Sequence, residues 1–354
     1  LVRLGIFRTV DLRYDVVDEQ TRNVVYTVQE GRRLNVSLLF GWGSYELARA
    51  GIELEQHNVF GRAHHQRLRA VQSFRATNFD YLYTMPEFVG ERVDVFYNAF
   101  YLRRDEVSFT REEFGAGAGA RTFIDLLQSD LYARYNYQIL SAERIDVVEG
   151  PTNAAVGAIT FELRHDRRDN PLYPHRGYRF SGYIETASEF LGGEVNYARL
   201  ETQASYHQPL DEGRWLHFGF THGAIFTVGP PSEDLPFNKR FFPGGDSSIR
   251  GFQFGEATPR NAAGQNVGAE TYMLGNLEFE QALTDRWSFI SFVDVLGFAR
   301  RIGDYPFDEH LLSIGGGIRW KTIIGPVRLE YGHNVIRRTE DPSGTIHFSL
   351  GFPF

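Results

Sequence analysis

Long segments of this chain alternate apolar and polar residues with a period of two, and this pattern restricts the possible fold more than any other feature. Residues 131–139 place Leu, Ala, Tyr, Tyr and Ile at the odd positions, with Tyr, Arg, Asn and Gln between them. The same alternation runs through residues 159–164 and 327–331. Successive side chains of a β-strand point to opposite faces, so these segments indicate strands with one apolar and one polar face.

The length of the alternating segments separates two kinds of β-protein. A soluble sandwich would show the same alternation, with its apolar face turned inward. Ordinary strands run for roughly 5 to 6 residues, whereas tilted strands that cross a membrane need about 9 to 11. Several segments here persist well beyond the ordinary length, and they lie at residues 91–104, 154–167, 177–190, 194–207 and 214–228. We therefore favour membrane-crossing strands.

Sixteen candidate strands can be assigned, separated by residues that are typical of turns. They lie at residues 33–46, 48–57, 64–76, 78–88, 91–104, 107–121, 129–142, 154–167, 176–190, 194–208, 213–228, 269–282, 285–299, 310–322, 325–335 and 344–354. Single-chain bacterial barrels contain an even number of strands. The sequence thus predicts an all-β protein, with a 16-stranded antiparallel transmembrane β-barrel over residues 32–354.

Composition agrees with a membrane barrel and excludes several other kinds of site. Aromatic residues make up 15% of the chain, with 30 Phe and 18 Tyr, and membrane barrels use such residues in girdles at the two interfaces. No run of apolar residues is long enough to predict a transmembrane helix. The absence of cysteine excludes disulfides and thiolate metal sites. A net charge of -8 argues against a nucleic-acid partner.

One predicted connection, at about residues 229–268, is far longer than the others. Hairpin loops usually have about 2 to 5 residues, and long loops that are not disordered are usually functional. This loop combines glycines, which permit unusual backbone conformations, with aromatic residues that can pack in a fixed shape. We expect it to be ordered and to fold into the barrel. Its notable residues are Phe241, Phe242, Gly244, Gly245, Ile249, Arg250, Gly251 and Phe252.

No motif in the sequence supports catalysis. His64 and His65 are adjacent, so in a strand they point to opposite faces and cannot bind one metal together. The pair His165 and Asp166 lacks an accompanying nucleophile motif. The glycine pair at 244–245 is not followed by the Lys-Ser/Thr of a phosphate-binding loop. We expect no enzymatic activity, no metal and no cofactor.

The loop motif, the strand count and the aromatic residue Phe354 at the end of the last strand together resemble the BamA/TamA superfamily of outer-membrane assembly and translocation proteins. Residues 249–252 (IRGF) look like the family's (V/I)RG(F/Y) signature in the sixth extracellular loop, and residues 241–245 (FFPGG) look like the segment before it. Residues 166–177 are similar to the family's turn between the eighth and ninth strands. Residues 1–31 resemble the end of the last periplasmic POTRA domain, an α+β unit. The chain therefore looks like a fragment of a longer exported polypeptide.

The resemblance implies a role for the loop arginine. In family members it meets acidic residues on the inner wall of the twelfth and thirteenth strands, which correspond here to Glu278 and Asp294. A guanidinium inside a barrel is partly desolvated, which is tolerable when carboxylates pair with it. The alternative is that Arg250 is a solvated loop charge and that both acids are ordinary lumen residues.

The resemblance also implies a weak seam, by which we mean the line where the first and last barrel strands meet. In the family this closure is proposed to open sideways and to offer backbone edges to a client strand. Glycine weakens strand interiors, and Pro353 cannot donate a hydrogen bond. The alternative is simple fraying at a chain end. The seam residues would be Leu34, Val36, Leu38, Gly41, Gly43, Phe348, Gly351, Phe352 and Phe354.

The expected function is assembly, insertion or translocation of proteins at the bacterial outer membrane, with the POTRA side in the periplasm. The expected partners are outer-membrane lipids, unfolded outer-membrane protein or autotransporter clients, and periplasmic or inner-membrane proteins bound through POTRA domains. A two-partner secretion pore is an alternative from the same superfamily, and a passive porin or barrel enzyme is an alternative from another class. The sequence does not separate BamA-like from TamA-like roles.

Overall fold

The computed structural model describes residues 6–18, 20–90, 92–143, 150–227, 235–304, 309–322 and 325–350. Strands β1 (Phe7–Val16) and β2 (Arg22–Glu30) pair as an antiparallel two-stranded sheet outside the barrel. The assignment of this hairpin to a POTRA domain stays a prediction. Four residues at the C-terminal end of the predicted seam lie outside the described residues: Gly351, Phe352, Pro353 and Phe354.

Sixteen further strands form a closed antiparallel barrel, which confirms the predicted fold class. In chain order they are β3 (Leu34–Gly43), β4 (Leu47–Val59), β5 (His64–Ser73), β6 (Ala76–Met85), β7 (Val93–Asp105), β8 (Thr110–Ile124), β9 (Ser129–Glu143), β10 (Asn153–Asp166), β11 (Gly177–Ala187), β12 (Tyr197–Asp211), β13 (Arg214–Thr227), β14 (Thr271–Ala282), β15 (Trp287–Ala299), β16 (Glu309–Thr322), β17 (Gly325–Ile336) and β18 (Gly344–Leu350). Short 3₁₀ turns occupy Glu189–Leu191, Phe237–Lys239 and Ile302–Asp304.

The period-two pattern sorts side chains between the membrane and the lumen. On β18, Ile346 is 63% exposed and Phe348 is 37% exposed, whereas His347 and Ser349 are buried inside. Apolar residues thus lie on the outer, lipid-facing side of the wall, and polar residues face the lumen. No helix in the described part of the chain is long and apolar enough to span a membrane.

The hydrophobic core lies inside the barrel, between the wall and the long loop that joins β13 to β14. The loop residues Ile249 and Phe252 are fully buried and pack in one cluster with Leu274 and Leu296 of the wall. A barrel of this size needs an inserted segment to exclude water from its lumen. The described part of the loop, residues 235–270, fills this space and thereby positions the candidate site.

Candidate functional site

The centre of the loop is a compact turn that presents Arg250 to the barrel wall. Its base is closed by Phe241 and Ala269, which exchange backbone hydrogen bonds of 2.9 and 2.8 Å. Within it, the Gly245 N–H donates to the Phe252 carbonyl at 3.1 Å. Gly244 and Gly245 have φ values of 129° and 102°, a region that favours glycine. The glycine pair therefore lets the chain reverse direction before the motif at 249–252.

Arg250 is buried in the lumen and pairs with the two acids named from the sequence. Its Nε lies 2.8 Å from Asp294 Oδ2, its Nη2 lies 2.8 Å from Asp294 Oδ1, and its Nη1 lies 2.6 Å from Glu278 Oε2. The guanidinium carbon lies 3.5 Å from the centre of the Phe292 ring. The structure thus brings Arg250 of the loop together with Glu278 of β14 and Asp294 of β15. Arg250 is therefore not the solvated loop charge of the alternative interpretation.

Two further residues complete this group, which we call the arginine cluster: Arg250, Glu278, Asp294, Arg319 and Glu330. Arg319 on β16 donates to Glu278 Oε1 at 2.6 Å and to Glu330 Oε1 at 2.9 Å. Glu330 on β17 also lies 3.5 Å from Arg250. Sequence reasoning missed both residues. Their inward positions follow from the period of two, but their proximity to Arg250 depends on the register of four strands.

The cluster keeps its central guanidinium charged. Burial by itself would lower the pKa of Arg250, but hydrogen bonds and the negative charge of Asp294, together with Glu278 and Glu330, raise that pKa above its ordinary value. Bidentate, charge-assisted hydrogen bonds are among the strongest polar contacts in proteins. The arrangement can hold the loop in one position.

The backbone of the motif is bound to the last two strands. The Arg250 carbonyl lies 2.9 Å from His347 Nε2, and the Gly251 carbonyl accepts from Thr345 Oγ1 at 2.9 Å and from Asn334 Nδ2 at 2.8 Å. A Cβ on Gly251 would overlap the side-chain oxygen of Asn334. Glycine is therefore required at 251 by space, and this contact explains the residue type that the motif carries.

The remaining predicted loop residues serve packing. The ring centres of Phe241 and Tyr272 are 4.9 Å apart, and the guanidinium carbon of Arg199 lies 4.6 Å from the centre of the Phe241 ring. Phe242 packs against Phe109 and Phe237 in a smaller cluster near β8. These aromatic contacts bind the first half of the loop to the barrel wall near β8, β12 and β14.

A second buried ion pair, which sequence reasoning missed, binds the loop to β11. Lys239 Nζ lies 3.1 Å from Glu185 Oε1, and both side chains are 8% exposed. The hydroxyls of Tyr183 and Tyr197 also donate to Glu185, at 2.5 and 2.6 Å. No motif signals this pair, because Glu185 is one of many inward-facing polar residues on the strands.

The seam between β3 and β18 can be followed as far as Leu350, since residues 351–354 lie outside the described part of the chain. Within that part, Gly43 pairs with Ser349 and Trp42 pairs with Leu350. The Ser44 hydroxyl adds contacts of 2.6 and 3.1 Å to the Phe348 backbone. By contrast, β17 pairs with β18 from Val327 to His333.

The described register covers only part of the predicted seam. The prediction joined residues 34–46 to 344–354, but β3 ends at Gly43 and residues 44–46 form a turn. Of the predicted residues on β3, Gly43 pairs with β18, while Leu34, Val36, Leu38 and Gly41 have no β18 partner among the described residues. Leu38 and Gly41 line an apolar groove together with Phe40, Trp42 and Leu350 among others. Phe348 faces outward beside this groove.

One group of side chains has the composition of a cation site. His217, Glu278 and Glu280 bring possible ligand atoms within 4.8 Å of one another. Both oxygens of Glu278 already accept hydrogen bonds from the arginine cluster, and Arg319 lies 3.7 Å from Glu280. A metal ion would compete with two guanidiniums for the same carboxylates, so these residues are explained by ion pairing.

The sequence of this chain is similar to those of known outer-membrane proteins. The profile of the Omp85 superfamily domain matches residues 58–354. The chain is 26% identical over 371 residues to the outer membrane protein assembly factor BamA of Nitratidesulfovibrio vulgaris, covering 99% of this chain and 46% of that protein. It is 24% identical over 380 residues to BamA of Neorickettsia risticii, covering 100% of this chain and 50% of the relative. The chain thus spans about half the length of these curated relatives.

A solved structure shares the fold over nearly the whole chain. The crystal structure of BamA from Haemophilus ducreyi lacking POTRA domains 1-3 superposes with a TM-score of 0.84 at 18% identity. The match covers 98% of this chain and 76% of that one. At this identity the likeness establishes the common fold.

Proposed function

We propose that this chain, which belongs to the Omp85 superfamily, acts in the assembly or translocation of other proteins at the bacterial outer membrane. The barrel lies in that membrane. In the proposed orientation, the end that carries β1 and β2 faces the periplasm. The proposed mechanism is opening at the seam, with the arginine cluster holding the loop and the surrounding wall in place.

The observation that carries this proposal is the edge of β3. Among the described residues this edge is joined to β18 at two positions, Trp42 with Leu350 and Gly43 with Ser349, whereas the other edge of the strand is paired with β4 along its whole length. An unpaired strand edge at the level of the membrane is a template for another strand. A client strand that docks there would satisfy backbone groups that otherwise cost several kcal/mol each in lipid.

Strand addition needs no bond-making chemistry, so we propose that the activity uses no catalytic residue and no cofactor. The energy would come from the client, because its backbone polar groups become paired and its apolar side chains reach lipid. The proposed clients are unfolded outer-membrane proteins or autotransporters. Periplasmic or inner-membrane partners would bind through POTRA domains, which remain a prediction for this protein.

A disulfide across the seam tests the mechanism. The chain has no cysteine, so a Gly43→Cys/Ser349→Cys pair would join β3 to β18 without competing thiols. An added Cβ at Gly43 meets no atom within 4 Å. In liposomes, oxidation should stop the folding of an unfolded outer-membrane barrel, measured by its heat-modifiable mobility on a gel, and reduction should restore it.

The matched control is a Tyr331→Cys/Ile346→Cys pair, which joins register partners in the continuous β17–β18 hairpin. Oxidation of that pair should leave client folding unchanged. Full activity with the seam locked would refute lateral opening.

The same experiment separates the alternative functions. A two-partner secretion pore would pass its substrate through the lumen, so it would keep working with a locked seam once the loop moved aside. The loop residues Ile249, Arg250 and Phe252 are buried against the wall, which opposes such a movement. A passive porin would show steady ion conductance and no effect of client protein.

A further inference from the structure

A five-residue stretch of the loop, from Arg250 to Phe254, contacts both sides of the seam. Arg250 and Gly251 bind the C-terminal side through the carbonyl contacts with Asn334, Thr345 and His347. The ring of Phe254 lies 4.8 Å from the ring of Tyr45, in the turn between β3 and β4, with an interplanar angle of 29°. The loop therefore bridges the two edges from inside the barrel.

Phe254 docks on a site built by the N-terminal strands. The guanidinium carbon of Arg104 on β7 lies 4.8 Å from the centre of the Phe254 ring, and that of Arg75 lies 4.7 Å from the ring of Tyr45. The Tyr45 hydroxyl donates to the Asp105 carbonyl at the end of β7. Burial and the charge of Glu106 raise the pKa of Tyr45 to about 12, so the phenol remains a donor at physiological pH.

The spacing between the two attachments is held by short-range hydrogen bonds. The Gln253 N–H donates to Glu256 Oε2 at 2.9 Å, and the Glu256 N–H donates to the Gln253 carbonyl at 3.1 Å. Gly255, with a φ of 73°, completes this turn. The position of Phe254 is thus fixed relative to Arg250. If one of the two seam strands moves, the distance between that strand and the loop must change.

The two attachments differ in strength. The C-terminal side is held by buried hydrogen bonds next to the arginine cluster, whereas the described β3–β4 turn meets the loop through the Tyr45–Phe254 ring stack, beside a cavity of about 310 Å³. That cavity is lined by Trp42, Gly43 and Ser44 on one side and by Thr345 and His347 on the other. The space under the seam is therefore loosely packed, and the aromatic contact has a large share in closing it.

We infer that Phe254 and Tyr45 are positioning residues that hold the first hairpin, β3–β4, against the loop and so keep the seam closed on its lumen side. The inference rests on the proposed function for its biological meaning, since it names the contact that must break before a client strand can enter. Loss of the Phe254 ring should release the first hairpin while the loop stays bound to β14–β18 through Arg250.

The test measures access to the seam without any client. Ser349 is 8% exposed, so the thiol of Ser349→Cys should react slowly with a maleimide in the intact protein in outer membranes. Adding Phe254→Ala should raise the labelling rate about fivefold or more, as expected from the loss of one ring stack and one cation–π contact. Phe254→Tyr keeps the ring and should restore slow labelling.

Two controls keep the inference falsifiable. Phe190 is fully exposed in the β11–β12 connection, so Phe190→Ala should not change labelling at 349. Thr258 is fully buried in the loop and its hydroxyl has no hydrogen-bond partner among the residues that the structure describes, so Thr258→Cys reports whether the whole loop leaves the lumen. This thiol should stay unreactive in the Phe254→Ala background.

Unchanged labelling at 349 in Phe254→Ala would refute the inference, as would equal acceleration at 258. Neither result would bear on the seam mechanism itself, because a locked seam is tested separately with a client. Conversely, client folding by a locked barrel would refute the proposed function while leaving the labelling result intact.

Discussion

Arg250 and Asp294 meet in a parallel, two-bond arrangement, with Nε 2.8 Å from Oδ2 and Nη2 2.8 Å from Oδ1. The same carboxylate accepts the Arg250 backbone N–H at 3.0 Å and the Asn276 side-chain amide at 2.8 Å. Asp294 is fully buried, so these four hydrogen bonds replace its entire hydration. The position of the loop therefore depends on the Asp294 carboxylate of β15. Removing Arg250 or Asp294 leaves the other charge buried without its partner.

Arg250→Ala should abolish client folding and destabilise the barrel by about 3 to 5 kcal/mol, because it leaves the Asp294 carboxylate without its counter-ion in a buried site. The free energy of unfolding can be measured by denaturant titration in detergent. Arg121→Ala is a suitable control, since its 2.9 Å ion pair with Asp130 is half exposed and should contribute at most about 1 kcal/mol. Equal losses in the two variants would contradict the structural role of the buried pair.

Gly251→Ala should destabilise the barrel by about 1 to 3 kcal/mol, because the new methyl group would overlap the Asn334 side chain and push the motif away from β17. Gly275→Ala is the matched control, as an added Cβ at that position meets nothing within 4 Å. Differential scanning calorimetry of the two purified variants should show a lower midpoint temperature of unfolding for Gly251→Ala than for Gly275→Ala. A midpoint like that of Gly275→Ala would mean that the loop does not pack against Asn334.

Lys239→Met should loosen the first half of the loop, because it leaves the buried carboxylate of Glu185 with two tyrosine donors and removes the lysine that binds it directly. The expected loss in unfolding free energy is up to about 3 to 5 kcal/mol. Adding Glu185→Gln should recover part of it, since the neutral amide can still accept from Tyr183 and Tyr197. Additive losses in the double variant would show that the two side chains do not interact.

The seam register predicts which cysteine pairs can be joined. Gly43→Cys/Ser349→Cys should form a disulfide readily, because these residues are paired. Leu38→Cys/Ser349→Cys should not, because Leu38 is five residues along β3 and a strand rises about 3.3 Å per residue. Non-reducing gels of the oxidised proteins provide the measurement. Faster cross-linking of the second pair would indicate a different register at the seam.

Much of the fold follows from local features of the sequence. The period of two separates lipid-facing from lumen-facing side chains on each strand, and the turn residues divide the chain into sixteen such strands, which the structure confirms as a closed barrel. The long connection with its glycines and aromatics also predicts an ordered loop. These properties depend on neighbours in the chain, so they can be read without knowing which strands lie beside the loop.

The contacts inside the lumen were decided by the tertiary structure. The resemblance pointed to Glu278 and Asp294 as partners of Arg250, but Arg319, Glu330, His347 and the pair Lys239–Glu185 had no local signal. Each is an inward polar residue like many others, and its partner is set by the register of distant strands and by the path of the loop. The length of the seam likewise depends on how the ends of the barrel align when it closes. Sequence patterning therefore determines which face each residue occupies, whereas long-range closure determines which residues meet there.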